Sequence, residues 1–254
     1  MNLKNKRFFI AFLFIVFCLF LSHSDLNAQA IPRISIGVDQ ATSPAEVANS
    51  LQILFLLTIL SIAPSILILM TSFTRITIVL SFVRKALGTQ PTPSNQILAS
   101  IALFLTFFIM APIFKDINDQ ALQPYLQGTL THEEFYKEGI KPLRAFMLKQ
   151  TRDKDLALIL NASRLPKPNN ADEITLPTLV SAFAISEIRI AFQMGFLIYL
   201  PFLMIDMITA SILMSMGMMM LPPAMISAPL KVLLFILVDG WYLVVESLVK
   251  SFKF

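Results

Sequence analysis

Residues 176–223 read LPTLVSAFAISEIRIAFQMGFLIYLPFLMIDMITASILMSMGMMMLPP, and this stretch is the strongest indication of the fold. It is an apolar block that contains three charged residues, Glu187, Arg189 and Asp206. A charge at the centre of a membrane helix costs about 2.5–3.5 kcal/mol on the translocon scale. The charged face of this block is therefore expected to meet protein or water rather than lipid.

The composition of the whole chain agrees with this block. Of its 254 residues, 56% are hydrophobic and only 14% are charged. Soluble globular domains carry roughly 45–50% apolar and about 25% charged residues. The composition therefore excludes an ordinary soluble enzyme and a disordered chain. The net charge of +4 lies partly in the N-terminal segment, so it does not indicate a nucleic-acid partner.

The N-terminal segment has the pattern of a secretory signal peptide. Basic residues precede an apolar run, and Ala28 and Ala30 form a small-x-small site. We predict that residues 1–30 are cleaved off after Ala30, with a short uncleaved anchor helix as the alternative. The only cysteine, Cys18, would leave with this segment. Residues 31–44 are then expected to form a flexible mature N-terminus.

Residues 45–114 are predicted to form a first apolar helical hairpin. Residues 47–74 carry no charge, which is long enough to span a bilayer. Gly88 and the prolines after it mark a helix end, and Ser94 or Asn95 is suited to cap the next helix.

Residues 115–175 are different in kind. Nine Lys and Arg and nine Asp and Glu fall between positions 115 and 173, which predicts a solvated, periplasm-side helical insert. Its helical pattern is expected to break near Pro142. Residues 176–254 then form a second apolar hairpin, whose last block is expected to run from Pro229 to Val249.

Prolines interrupt the apolar blocks at positions 64, 112 and 201. Each removes a backbone hydrogen bond that lipid cannot replace, so kinked helices covered by other protein are expected. The fold class is therefore all-α, with membrane-associated helical hairpins and kinked helices. A simple four-helix bundle is one interpretation, and a subunit of a large assembly is the one that the buried charges favour.

A methionine cluster fills the turn of the second hairpin. Eight of the thirteen methionines lie between residues 204 and 225, and Gly217, Pro222 and Pro223 indicate a helix end running into a turn. Methionine is flexible and polarizable, so it fills irregular space. Such a turn is either a loosely packed core element or a deformable seal around a pore.

Four motifs resemble the FliP family of flagellar export-gate proteins. They are AFAISEIRIAFQMGF at 182–196, PFLMID at 201–206 continuing through MSMGMMMLPP at 214–223, VDGW at 238–241 and FTRITIVLSF at 73–82. The likeness covers nearly all of residues 45–254. Ser181 is a small departure, because proline or alanine is more familiar there.

This resemblance implies a channel-forming subunit of the type III export gate, which conducts unfolded flagellar proteins across the bacterial inner membrane at the flagellar basal body. It implies a ring of five copies within a helical cone and no cofactor. The implied partners are further copies of the chain, FliQ, FliR, FlhB, FlhA, export substrates and membrane lipid. The family's pore gasket falls here on Met216, Met218, Met219 and Met220.

The resemblance and the buried charges together suggest subunit contacts. We expect Asp206 and Lys231 to make such contacts, with Glu187 and Arg189 as weaker candidates, and Asp239 to satisfy backbone groups near Gly240. Replacing Asp206 or Lys231 with alanine is predicted to impair assembly.

Three other functions fit the sequence less well. A virulence secretion system uses an equivalent subunit, although that type usually lacks the signal peptide and the polar insert. An intramembrane aspartyl protease built on Asp206 and Asp239 lacks the glycine-rich motif of such enzymes, and a small-solute transporter lacks the expected repeat between the hairpins. With His132 as the one histidine after residue 30, we expect neither a metal site nor enzyme activity.

Overall fold

The computed structural model describes residues 44–89, 91–163, 168, 170–218 and 220–253. Its contacts divide the chain after Ile53 into two units, and the packing described below belongs to the second, residues 54–254. The predicted signal peptide, including Ala28 and Ala30, lies outside the described residues. So does Met219 of the predicted gasket, together with nearly all of the predicted flexible N-terminus.

The described residues form nine α-helices and no strand. One π-helical turn, Asn118–Leu122, joins α3 to α4, and one 3₁₀ turn, Ala171–Glu173, precedes α7. The all-α prediction is confirmed. In chain order the helices are α1 Pro44–Met70, α2 Phe73–Leu87, α3 Asn95–Ile117, α4 Gln123–Leu126, α5 His132–Gln150, α6 Asp153–Ala162, α7 Leu176–Ser215, α8 Pro223–Leu237 and α9 Gly240–Lys250.

A helix ends just before Gly88, where the sequence predicts a helix end. Gly88 takes the left-handed conformation at φ +71°, which stops α2. The Ser94 hydroxyl accepts a hydrogen bond from the backbone N–H of Ile97, so Ser94 is the residue that caps α3.

The helix breaks do not fall at the prolines. Pro64, Pro112 and Pro142 lie inside continuous helices. The insert breaks instead after Gln150, where the backbone N–H of Arg152 donates to the hydroxyl of Ser186 in α7. The expected break at Pro142 was wrong, because a contact between helices fixes the end of α5 rather than the local loss of one hydrogen bond.

The apolar segment before Gly88 and the last apolar block each form two helices rather than one. The segment before Gly88 breaks at Thr71 and Ser72, which are both buried. The last block begins earlier than expected, at Pro223, and bends by 65° between α8 and α9. Asp239 lies at this bend with φ +50°, a left-handed conformation that asparagine and aspartate adopt more readily than most residues.

The core forms where α2 packs along α7, with α3, α5 and α9 closing around them. The two helices approach closely at Gly195, because a Cβ atom there would lie 2.5 Å from the ring of Phe82. Only glycine fits without displacing that ring. Fully buried residues of this core include Ile76, Val79, Leu80, Val83, Met110, Met147, Leu179, Phe183 and Leu248.

Two segments are long and apolar enough to cross a membrane, judged by length and composition. They are Asn95–Leu126 and Leu176–Ser215, and the bent pair α8 and α9 is a third if it forms one span. Large apolar side chains on these segments remain exposed in the single chain, among them Phe104, Phe108, Leu197 and Leu237. These surfaces are suited to lipid or to other protein chains.

Candidate functional site

Asp206 and Lys231 form an ion pair between α7 and α8. The Lys231 ammonium lies 2.6 Å from one carboxylate oxygen of Asp206, and the Ser227 hydroxyl donates to the other oxygen at 2.6 Å. Lys231 and Ser227 are buried, while the Asp206 side chain keeps 29% of its surface exposed. The pair therefore fixes the register of the two helices that flank the methionine-rich turn.

This pair lies within one chain, as a lock between two antiparallel helices. Phe202 and Phe235 pack in the same register, with ring centroids 6.2 Å apart. Both carboxylate oxygens of Asp206 are engaged, which is the arrangement of a structural ion pair rather than of two carboxyls sharing a proton. The role of Asp206 and Lys231 in contacts between subunits stays a prediction.

A second ion pair lies deeper in the core, between Arg75 of α2 and Glu187 of α7. Arg75 is 1% exposed and Glu187 is fully buried. The guanidinium donates to both Glu187 oxygens, to the Gln150 side-chain oxygen, and to the backbone oxygen and hydroxyl of Ser251. All five N–H groups of the arginine are thus used, which a buried guanidinium requires.

The C-terminal residues complete this cluster. The ring of Phe252 lies 3.9 Å below the guanidinium carbon of Arg75 and near the ring of Phe146. The side-chain amide of Gln150 donates to the backbone oxygen of Lys253 at 2.6 Å. The cluster therefore joins the end of α5, the start of α2, the middle of α7 and the chain's last described residues.

Arg75 and Gln150 are the residues that sequence reasoning missed at this site. In the sequence, Arg75 stands out only as part of the motif at 73–82. Its partner Glu187 lies 112 positions away. The available signal was that a glutamate inside an apolar helix needs a cation, and Arg75 follows 28 uncharged residues. The sequence alone does not say which arginine or lysine meets Glu187.

Arg189, the fourth predicted contact charge, is placed differently. It lies on the exposed side of α7, beside exposed Ile185 and Ile188. No hydrogen bond or ion pair to its guanidinium is found within the described part of the chain. Asp239 is also exposed, and its side chain makes no capping hydrogen bond. The expectation that Asp239 satisfies backbone groups near Gly240 was wrong, because the left-handed backbone makes the turn instead.

The methionine-rich turn begins with a tight helix end. The N–H of Met218 donates to the oxygen of Leu213, and the N–H of Gly217 donates to Met214, the paired bonds of a Schellman motif. Gly217 has φ +75°, as this motif requires. The structure therefore brings three of the four predicted gasket residues into one short turn, and their exposures are 61% for Met216, 42% for Met218 and 98% for Met220.

The polar insert carries a charged helix cap at Thr131 and Glu134. The Glu134 carboxylate accepts hydrogen bonds from the N–H and hydroxyl of Thr131, and these bonds lower the pKa of Glu134. His132 is exposed and lies 3.4 Å from the Tyr125 hydroxyl through its Nδ1. Among the described residues, no group of three or more His, Cys, Asp or Glu side chains is placed to hold a metal ion.

Comparison with known proteins places these motifs in a family. The FliP family model matches residues 56–248. The flagellar biosynthetic protein FliP of Bacillus subtilis (strain 168) is 56% identical over 217 residues, which is 85% of this chain and 98% of that protein. Its counterpart in Borreliella burgdorferi is 49% identical over 211 residues, covering 82% and 83% of the two chains. The Aquifex aeolicus protein is 46% identical over 225 residues, or 88% and 92%. This chain therefore belongs to the FliP family.

Proposed function

We propose that this chain is a channel-forming subunit of the flagellar type III protein export gate, in which the methionine-rich turn acts as a gasket. The gate conducts unfolded flagellar proteins across the bacterial inner membrane. The chain assembles there as a ring, with five copies as the expected number. Its other expected partners are FliQ, FliR, FlhB and FlhA.

Family membership supports the flagellar part of this proposal. The three relatives named above are flagellar biosynthetic proteins, and this chain matches each of them over at least 82% of its own length. The apolar helices support placement in a membrane, since two segments have the length and composition of spans.

The observation that carries the gasket is the exposure of the methionines at a rigid helix end. The turn leaves Met216 and Met220 more than half exposed, although their side chains are apolar. An exposed apolar turn of this kind gains stability when other surfaces cover it, and further copies of the same turn around a pore would do so. Flexible thioether side chains can then close around a passing chain and close again behind it.

The ion pair between Asp206 and Lys231 supports the same interpretation. It holds α7 and α8 in register, and the methionine-rich turn connects these two helices. The methionine side chains can adapt to a passing chain only if the backbone that carries them keeps its position. Lys231 is buried and Asp206 accepts two hydrogen bonds, and together they hold that backbone in position.

The experiment replaces Met218, Met219 and Met220 with alanine in the full-length protein. We expect the gate to assemble, while the membrane leaks ions, because alanine removes the volume that closes the pore. Ion leakage is measured with a membrane-potential dye in cells, and export by the amount of flagellar protein in the medium. Native mass after mild detergent extraction reports whether the complex forms.

The matched control replaces three exposed methionines that lie on helices, namely Met204, Met207 and Met225. It removes the same number of thioethers and should leave the leak at the wild-type level. The gasket proposal is overturned if the turn variant assembles and shows wild-type leakage and export. A wild-type chain that extracts as a stable monomer, free of other proteins, overturns the channel itself.

A further inference from the structure

Residues 176–250 carry seven charged side chains, and five of them have partners within the chain. Glu187 pairs with Arg75, Asp206 with Lys231, and Glu246 with Lys250. Two remain without an ion-pair partner in the part of the chain that the structure describes, Arg189 and Asp239. They have opposite signs, and both are exposed among apolar side chains.

Arg189 lies thirteen residues after the first residue of α7, within one of the two segments apolar enough to span a membrane. Its exposed neighbours on that face, Ile185, Ile188 and Phe192, are apolar. A lone arginine in such a place costs several kcal/mol unless an anion or water meets it. The same reasoning applies to Asp239, which is flanked by exposed Leu237 and Val238 at the bend between α8 and α9.

Within one chain, Arg189 and Asp239 lie at different heights along the axis of α7. The pairs Asp206 with Lys231 and Phe202 with Phe235 set an antiparallel register in which paired residue numbers sum to 437. Leu237, the last residue of α8, lies opposite Leu200 in that register, and Asp239 follows two residues later at the bend, near the level of Ile198. Ile198 is nine residues from Arg189 (198 − 189 = 9), which is about 13 Å along a helix at 1.5 Å per residue.

We propose that Arg189 of one copy pairs with Asp239 of a neighbouring copy of this chain. The proposal rests on the assembly of several copies under the proposed function, and it names the contact that joins them. Every copy then offers Arg189 to one neighbour and Asp239 to the other, which is a head-to-tail interface that builds a ring or a helix. The offset of about 13 Å requires neighbouring copies to be shifted along the helix axes or their helices to be tilted, as in a cone.

The bend at Asp239 suits this role. The left-handed backbone presents the aspartate at the corner of the chain, with its side chain committed to no capping bond. Gly240 lies against Phe235, since a Cβ there would be 2.2 Å from that ring, so the corner is held firmly. A fixed anion at a corner is a good partner for a long arginine side chain, whose planar fork matches a carboxylate.

The first test measures the yield of the multi-copy particle for neutral variants of the full-length protein. Arg189→Gln and Asp239→Asn are each expected to lower the yield at least tenfold, because each leaves the opposite charge unpaired at an apolar interface. Asparagine keeps the left-handed preference of position 239. The double variant should recover most of the loss, since neither charge then remains.

The control replaces Lys250 or Glu246 with glutamine, because that exposed pair is already formed within one chain. Its particle yield should equal that of the wild type. The pairing is overturned if both single variants assemble at the wild-type yield, or if the double variant loses the product of the two single losses.

The second test does not depend on charge. In a Cys18→Ser background, the double variant Arg189→Cys with Asp239→Cys is treated with a short bismaleimide in native membranes. A ladder of linked copies is expected for this double variant. It is not expected for the controls Arg189→Cys with Asp239→Asn and Arg189→Gln with Asp239→Cys, which carry one cysteine each and, like the double variant, neither charge. An assembled particle without the ladder overturns this pairing and leaves the export-gate proposal standing, whereas a wild-type chain that forms no particle overturns the proposed function.

Discussion

The middle of α7 and its C-terminal end are built in opposite ways. Around Glu187 the chain supplies every partner itself, and the five donors of Arg75 all find acceptors within it. After Ser215 the same helix runs into a turn in which Met220 is 98% exposed. The first region is complete in a single chain, while the second leaves apolar surface that only lipid or other protein can cover.

This contrast separates a part of the molecule whose polar groups are satisfied within one chain from a part whose apolar surface remains open to lipid or to other protein. Polar groups in the core must be satisfied at once, because an unpaired buried charge opposes folding. Exposed methionines impose no such requirement, since they stay flexible and adapt to whatever contacts them. The ion pair of Asp206 and Lys231 lies between these two regions in position and in burial.

The largest expected loss of stability comes from removing Glu187 from the buried cluster around Arg75. Glu187→Ala leaves Arg75 buried without its counter-charge, which should cost about 3–5 kcal/mol of stability. Thermal unfolding and protease resistance in mild detergent would measure it. Glu246→Ala is the control, because that pair is exposed and worth about 0.2–1 kcal/mol. Equal stability of the two variants would contradict the central place given to the Arg75 cluster.

A smaller effect is expected at the intermediate pair. Asp206→Ala leaves Lys231 without its carboxylate, but the Asp206 side chain is 29% exposed, so water can replace part of the interaction. We expect a loss of about 1–3 kcal/mol, the range for an unsatisfied buried polar group, together with impaired assembly. Unfolding in detergent and native mass measure the two consequences separately. Wild-type amounts of intact complex would show that this pair does not support the turn.

The smallest effect is expected in the polar insert, outside both regions. Bonds from Thr131 lower the pKa of Glu134 below its ordinary value of 4.5, so the ionised carboxylate stabilises the start of α5. That contribution is present above the ordinary pKa and is lost as the pH falls through the lowered one. Amide hydrogen-exchange protection in the first turn of α5, corrected for intrinsic rates, should fall in that acidic window.

Glu134→Gln provides the comparison for this prediction, because glutamine keeps the capping geometry and does not titrate. Its protection in the first turn of α5 should not change with pH through that window. An equal loss of protection in both proteins would assign the effect to another group.

Much of the helical layout could be predicted, but its breaks could not. The left-handed Gly88 and the cap at Ser94 follow from local backbone chemistry, so residue type alone places them. Pro142 has an equally strong local signal, yet α5 continues through it and ends where Arg152 meets Ser186. A proline removes one hydrogen bond, and packing against a neighbouring helix outweighs that local cost.

The candidate site divides in the same way. The exposed turn could be located from Gly217, two prolines and the methionines, because all its determinants are neighbours in sequence. The core cluster could not, because Gln150 and Ser251 come from separate segments and have no sequence pattern that links them to Arg75.

Residue types alone predict that this protein is helical and apolar and that it contains charges that need partners. These properties depend on composition and on the cost of placing a charge in an apolar medium, and neither requires knowledge of the fold. The packing of the folded chain pairs Glu187 with Arg75 and Asp206 with Lys231, and it leaves Arg189 and Asp239 without ion-pair partners among the described residues. The physical reason is that partners far apart in sequence are chosen by the register of packed helices, and the whole core sets that register.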